Sequence, residues 1–198
     1  MPQPEFQLFD PAQFSELPEQ LERSDNPADR FLASFLTPST PFDQRVYDRW
    51  QHVKRDTQHY IPDYVNLQIS PEDRLLTIVG ATLREAHAKG LQIIAHDSAV
   101  PEDPQVILAR LMRLWGRNFL TRLLKELRKI LCNGKAEHLT NAALAGLIAR
   151  LAQDFGLPML TTTGLVFLLL SAITQALRRS FCDTFDRELI EAIAGKKS

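Results

Sequence analysis

The residues best spaced for chemistry in this chain of 198 amino acids lie between positions 48 and 63. On a helix over 41–61, Asp48, His52, Asp56 and His59 share one narrow arc, and Asp63 joins them if the helix runs on. Imidazole and carboxylate groups at i, i+4 and i+7 can converge on a metal ion. His52, Asp56 and His59 are therefore the candidate ligands. The competing reading is a solvated helix face. Val46, Tyr47, Trp50, Val53, Tyr60, Ile61 and Tyr64 fill the opposite arc, and a helix with one apolar side must place polar groups on the other. Nothing adjacent in sequence would orient the ligands, and Pro62 ends or distorts the helix before Asp63. The sequence thus predicts no metal and no cofactor.

Other constellations fail on geometry. His96-Asp97-Ser98 holds the residue types of a hydrolytic triad, but triad members meet through the fold and chain neighbours point apart. Ser98 has no glycine-rich elbow around it, so Asp97 and Ser98 read as turn residues. The eight glycines are scattered singly, which leaves no phosphate-cradling loop. The stretch Leu139–Gly156 loosely suggests the first helix of a helix-turn-helix. The helix after it is apolar where a base-reading helix must be polar. Arg128 and Lys129 lie close enough in sequence to favour a reactive thiolate at Cys132, against which stands the reading of a buried or capping cysteine. Cys132 and Cys182 are too few for a disulfide framework or a thiolate zinc site. They fit a reducing cytoplasm. No cationic segment followed by an apolar run precedes Arg23, so a cleaved secretion signal is not expected. The chain reads as a non-enzyme.

The elements that position these groups are helices. Asp10-Pro11, Asn26-Pro27, Thr40-Pro41, Ser70-Pro71 and Asp103-Pro104 share one grammar: a short polar cap, then proline in the first turn, where its missing N–H costs nothing. Gly90, Asn133-Gly134 and Gly156 supply the stops. The pattern predicts helices near 11–22, 27–36, 41–61, 71–89, 104–132, 140–155, 158–179 and 183–194. Tyr64–Ile69 and Leu91–Ala95 read as extended connections or short strands. The fold expected is all-α: a compact multi-helix bundle (41–198) with a central hydrophobic helix, carrying a proline-rich, acidic N-terminal helical arm (1–40).

Charge divides the chain. Residues 1–103 hold nine Lys plus Arg against seventeen acidic residues, a net of −8, and residues 104–198 hold fourteen against seven, a net of +7. The overall charge of −1 disfavours a general nucleic-acid binder, and no aromatics are interleaved with the basic positions for base stacking. The basic excess concentrates in 104–132: Arg110, Arg113, Arg117, Arg122, Lys125, Arg128 and Lys129 against Glu126 alone. Phe119, Leu120, Leu123, Leu124, Leu127, Ile130 and Leu131 form the apolar side of the same helix, with Trp115, and Gly116 is placed to bend it. Such a helix suits an acidic protein groove or an anionic membrane. It also suits a core helix whose basic side meets the acidic half of the same molecule.

From Phe155 to Leu177 there are 23 consecutive uncharged residues, including Leu165, Val166, Phe167, Leu168, Leu169 and Leu170. A helix of that length reaches roughly 35 Å, enough to cross a bilayer core. Pro158, Thr161, Thr162, Thr163, Gly164, Ser171, Thr174 and Gln175 dilute it and favour a buried central helix instead. The function expected is a cytoplasmic, non-catalytic interaction or regulatory module. It docks an acidic protein surface, or another copy of itself, through Arg110, Arg113, Arg117, Arg122, Lys125, Arg128 and Lys129. The alternative is a membrane-associating or membrane-permeabilising protein using that helix and residues 157–177.

Overall fold

The computed structural model describes residues 8–36, 74–91, 104–134, 136 and 138–194. The helices among them are α1 (Leu17–Glu22), α2 (Pro27–Ala33), α3 (Arg74–Glu85), α4 (Pro104–Gly134), α5 (Asn141–Phe155), α6 (Met159–Ala176) and α7 (Asp186–Ile193). Single 3-10 turns lie at Pro11–Phe14 and Phe181–Asp183. No strand occurs among the described residues, and the fold is all-α. The segment 41–61, the strand candidate 64–69, most of 91–95 and the boundary placed at residue 40 lie outside them.

The caps behave as local chemistry dictates. The Asp10 carboxylate accepts from the amide of Ala12 at 3.0 Å, and the Asn26 side-chain oxygen accepts from Ala28 at 3.0 Å. Thr140 accepts from Ala143 at 3.2 Å. Pro11 and Pro27 each stand just after the capping residue. The single helix expected over 11–22 is instead two elements. Pro18 has no N–H to return to the carbonyl of Phe14, so the 3-10 turn stops and α1 restarts at Leu17.

Helices α3 and α5 end in the same way. At α3 His87 takes the left-handed conformation (φ 53°), and the amides of His87 and Ala88 return to the carbonyls of Arg84 and Leu83 at 3.0 and 2.9 Å. At α5 Gly156 takes φ 64°, and Leu157 returns to Ala152 at 2.9 Å. These double closures satisfy carbonyls that a helix end otherwise leaves open. They place the α3 stop at Glu85, before the Gly90 that marked it in the sequence. The two ends also meet: the Lys89 amide donates to the Phe155 carbonyl at 2.6 Å, and the Lys89 stem lies over Gly156.

One continuous core joins every described helix. At its centre is α6, packed by α1, α2, α5 and α7. All of Leu165–Leu170 are buried, none more than 7% exposed. Phe167 meets Phe14 at 4.8 Å and Phe9 at 5.9 Å between ring centroids. Asp29, itself buried, accepts from Thr161 of α6 and, at 2.6 Å, from Ser24, so a carboxylate taken from water keeps its partners. The N-terminal residues thus pack into the core they were expected to border.

Helices α3 and α4 approach each other very closely. A Cβ added to Gly80 would lie 1.7 Å from the carbonyl oxygen of Met112, and one added to Gly116 would lie 1.8 Å from that of Leu76. The pairing 80 with 112 and 76 with 116 makes the helices antiparallel, with backbone on backbone. Gly116 therefore serves a crossing, in place of the bend read from sequence.

The cysteines correct a second expectation. Cys132 at the end of α4 and Cys182 in the last 3-10 turn form a disulfide, with their Cα atoms 5.6 Å apart. Fifty residues separate them in sequence. Their proximity is a product of α5 and α6 folding back onto α4, which local patterning does not reveal.

The crossing yields a direct test. Gly116→Ala or Gly80→Ala should lower unfolding stability by about 2–4 kcal/mol, because no side-chain rearrangement can relieve a clash with a carbonyl. Gly146→Ala, facing open space on α5, should instead be neutral or stabilise by up to about 1 kcal/mol. Urea titrations followed by circular dichroism compare the three.

Candidate docking face

Helix α4 buries Met112, Trp115, Phe119, Leu120, Leu123, Leu124, Leu127 and Leu131, so its apolar stripe faces the core as the spacing requires. The seven basic residues on its other sides are not equivalent. Arg122 binds Asp154 of α5 at 2.6 Å and approaches Glu126 at 3.3 Å. Lys129 donates to Glu126 at 2.8 Å. Arg128 binds Asp186 of α7 at 2.6 Å, the Cys182 carbonyl at 3.4 Å and the Thr184 carbonyl, with its guanidinium 5.2 Å from the centroid of Phe181. Arg122 and Arg128 thus tie α4 to its neighbours, and Lys129 pairs within α4.

Glu126 is the hub of that clasp. It is 2% exposed, yet it accepts from Lys129 and, at 2.7 Å, from Arg150 of α5, with Arg122 beside it. The hydrogen bond from Lys129 is the strongest influence on its carboxyl. Burial works in the opposite direction, and Arg150 adds a second hydrogen bond. The net result lowers its pKa from 4.5 to about 2. A buried carboxylate thus stays charged because three cations surround it.

What remains is a narrow basic stripe. Arg113, Arg117, Thr121 and Lys125 are exposed on successive turns of α4. Arg110 and Arg113 engage other groups. Arg117 and Lys125 form no ion pair with any described residue, and they sit about 12 Å apart along the axis. The sequence marked all seven basic residues as one surface. The structure places Arg122, Arg128 and Lys129 in internal pairs and leaves Arg117 and Lys125 facing outward. Their internal partners are Glu126, Asp154 and Asp186, all from the basic half of the chain. Glu126 was visible at helical spacing from Arg122 and Lys129. No sequence signal pointed to Asp154 or Asp186, because 32 and 58 residues separate them from their arginines.

Other concavities offer less. A groove of about 380 Å3 runs between residues 13–20 and α5, over Phe14, Leu17, Leu144 and Ile148. Glu16 is its one ionisable lining group. Among the described residues no three His, Cys, Asp or Glu side chains are grouped to hold a metal ion. His52, Asp56, His59 and the His96-Asp97-Ser98 run lie outside them. No protein-family model, curated protein or solved structure matches the chain.

The Glu126 clasp makes stability depend on pH. A carboxyl depressed in the folded state stabilises the fold fully above about pH 4.5, and the contribution disappears as pH falls toward 2. Half-exposed Lys129 and Arg150 soften the effect, leaving about 1–3 kcal/mol. Glu126→Gln should lower stability at pH 7 and flatten the pH dependence between 5 and 3, as read by urea midpoints.

Proposed function

We propose that this chain is a non-catalytic helical docking module that presents the outer face of α4 to an acidic protein surface. The observation that carries the reading is the exposure of Arg117 and Lys125 without a counter-ion among the described residues, on a helix whose neighbouring cations are neutralised within the fold. Exposed like charges on a rigid helix steer association and set register more than they add affinity. A 31-residue helix whose residues 112–131 are held by the core provides that rigidity. Self-association is the same chemistry with the exposed acidic residues Asp10, Glu16, Glu22 and Asp25 of another copy as partner.

A short poly-glutamate peptide serves as the probe. The native chain should bind it with an affinity that weakens as salt rises. Arg117→Glu combined with Lys125→Glu should abolish binding while leaving the helical circular-dichroism signal intact. Loss of helicity in that variant would show the two residues to be part of the packing, and unchanged binding would move the docking face elsewhere. Sedimentation of the peptide-free chain over a concentration series separates self-association from a foreign partner.

A second reading is membrane association, favoured by α6, which has the length and apolarity of a membrane span. In the fold that helix is the core, so entering a bilayer requires the bundle to open. Co-sedimentation with anionic phosphatidylserine vesicles is the check. Quantitative pelleting, with α1, α2 and α5 losing amide protection in the lipid-bound state while Leu165–Leu170 stays slow, supports this reading over docking.

A further inference from the structure

One short segment supplies both the disulfide partner of α4 and every acceptor of Arg128. Cys182 gives its sulfur to Cys132 and its carbonyl to Arg128, Thr184 gives a carbonyl, and Asp186 gives a carboxylate oxygen at 2.6 Å. Phe181 supplies the ring beside the same guanidinium. Cys132 and Arg128 are one helical turn apart on α4. The covalent bond and the arginine clasp therefore anchor the same segment to the same end of α4.

We propose that the Cys132–Cys182 bond is a redox latch on the docking face. Closed, it holds residues 181–194 against the end of α4 and keeps Arg128 engaged. Opened, it lets that segment leave, and Arg128 extends the basic stripe beyond Lys125. The extension of the stripe rests on the docking reading above; the latch itself does not.

The exposed position of Cys182 sets the route, with Cys132 only partly accessible. A glutathione thiolate attacks the sulfur of Cys182, forming a mixed disulfide, and Cys132 leaves as a thiolate that takes a proton from water. A second glutathione thiolate attacks the glutathione sulfur, releasing Cys182 as a thiol. Two glutathiones are oxidised to one glutathione disulfide, and the two protein cysteines are reduced. Beyond the Arg128 contacts and the exposed Arg179–Glu188 pair, the remaining hold on 181–194 is Phe181, Thr184, Leu189, Ile190 and Ala194 in the core, on an eight-residue helix too short to persist alone.

Three measurements on the full-length chain decide the matter, made with the bond closed, after reduction by excess glutathione, and in the Cys132→Ser/Cys182→Ser variant. Reduction should accelerate amide hydrogen exchange over 181–194 while the α6 core stays slow. It should also raise the rate at which phenylglyoxal modifies Arg128, mapped by mass spectrometry. Unchanged exchange and unchanged Arg128 reactivity in the reduced native chain overturn the latch, whether or not the serine variant folds. The poly-glutamate peptide should bind the reduced chain roughly two- to fivefold tighter at low salt, and Arg128→Gln should erase that difference. Equal binding in both redox states overturns the coupling to the docking face. No binding in either state, with exchange and Arg128 reactivity still responding, overturns the docking reading and leaves the latch supported.

Discussion

The contact between α3 and α4 at Gly80 and Gly116 is the constraint that the rest of the bundle accommodates. Two helix backbones meet there with no side chain between them, and the carbonyls of Leu76 and Met112 occupy the space that β-carbons would need. Contact this close fixes the axial register of α4 against α3. The register of α4 then determines which of its residues face α5 and α7. Glu126 comes to lie opposite Arg150, Arg122 opposite Asp154, and Arg128 opposite Asp186. A shift of one residue along α4 would rotate each of these side chains by about 100° and break the set together.

Electrostatics then sorts the basic residues into two populations. Those near the α5 and α7 contacts are neutralised by Glu126 of the same helix and by Asp154 and Asp186 brought from α5 and α7. Those on the far side, Arg117 and Lys125, keep their charge for solvent or a partner. The burial of Glu126 makes the first population cooperative. Removing Arg122, Lys129 or Arg150 leaves the Glu126 carboxylate out of water with fewer compensating charges, which costs more than the loss of an exposed pair.

What the sequence revealed was what depends on near neighbours. Capping at Asp10 and Asn26, the start of α4 at Pro104 and the left-handed close at Gly156 are each settled within a few residues, and the core face of α4 follows from periodicity. The buried run Leu165–Leu170 was recognisable as apolar, and its enclosure followed from the polar residues diluting the same stretch. The features that were hidden are those in which the meaning of a residue depends on a distant one. A helical glycine looks the same whether it permits a bend or a crossing. An arginine looks the same whether its carboxylate is a partner protein or Asp186. Cys132 and Cys182 carry no local mark of one another.

The disulfide also has a mechanical side. It joins residue 132 to residue 182 directly, so tension applied along the chain passes from α4 to the last 3-10 turn without loading α5 or α6. The central apolar helix lies inside a covalent ring that a pull on the ends cannot unravel. With the bond closed, the contour length that force can release is shorter by about 170 Å, the extended span of the bypassed residues. A chain drawn through a narrow passage would have to carry that ring as a folded or doubled loop.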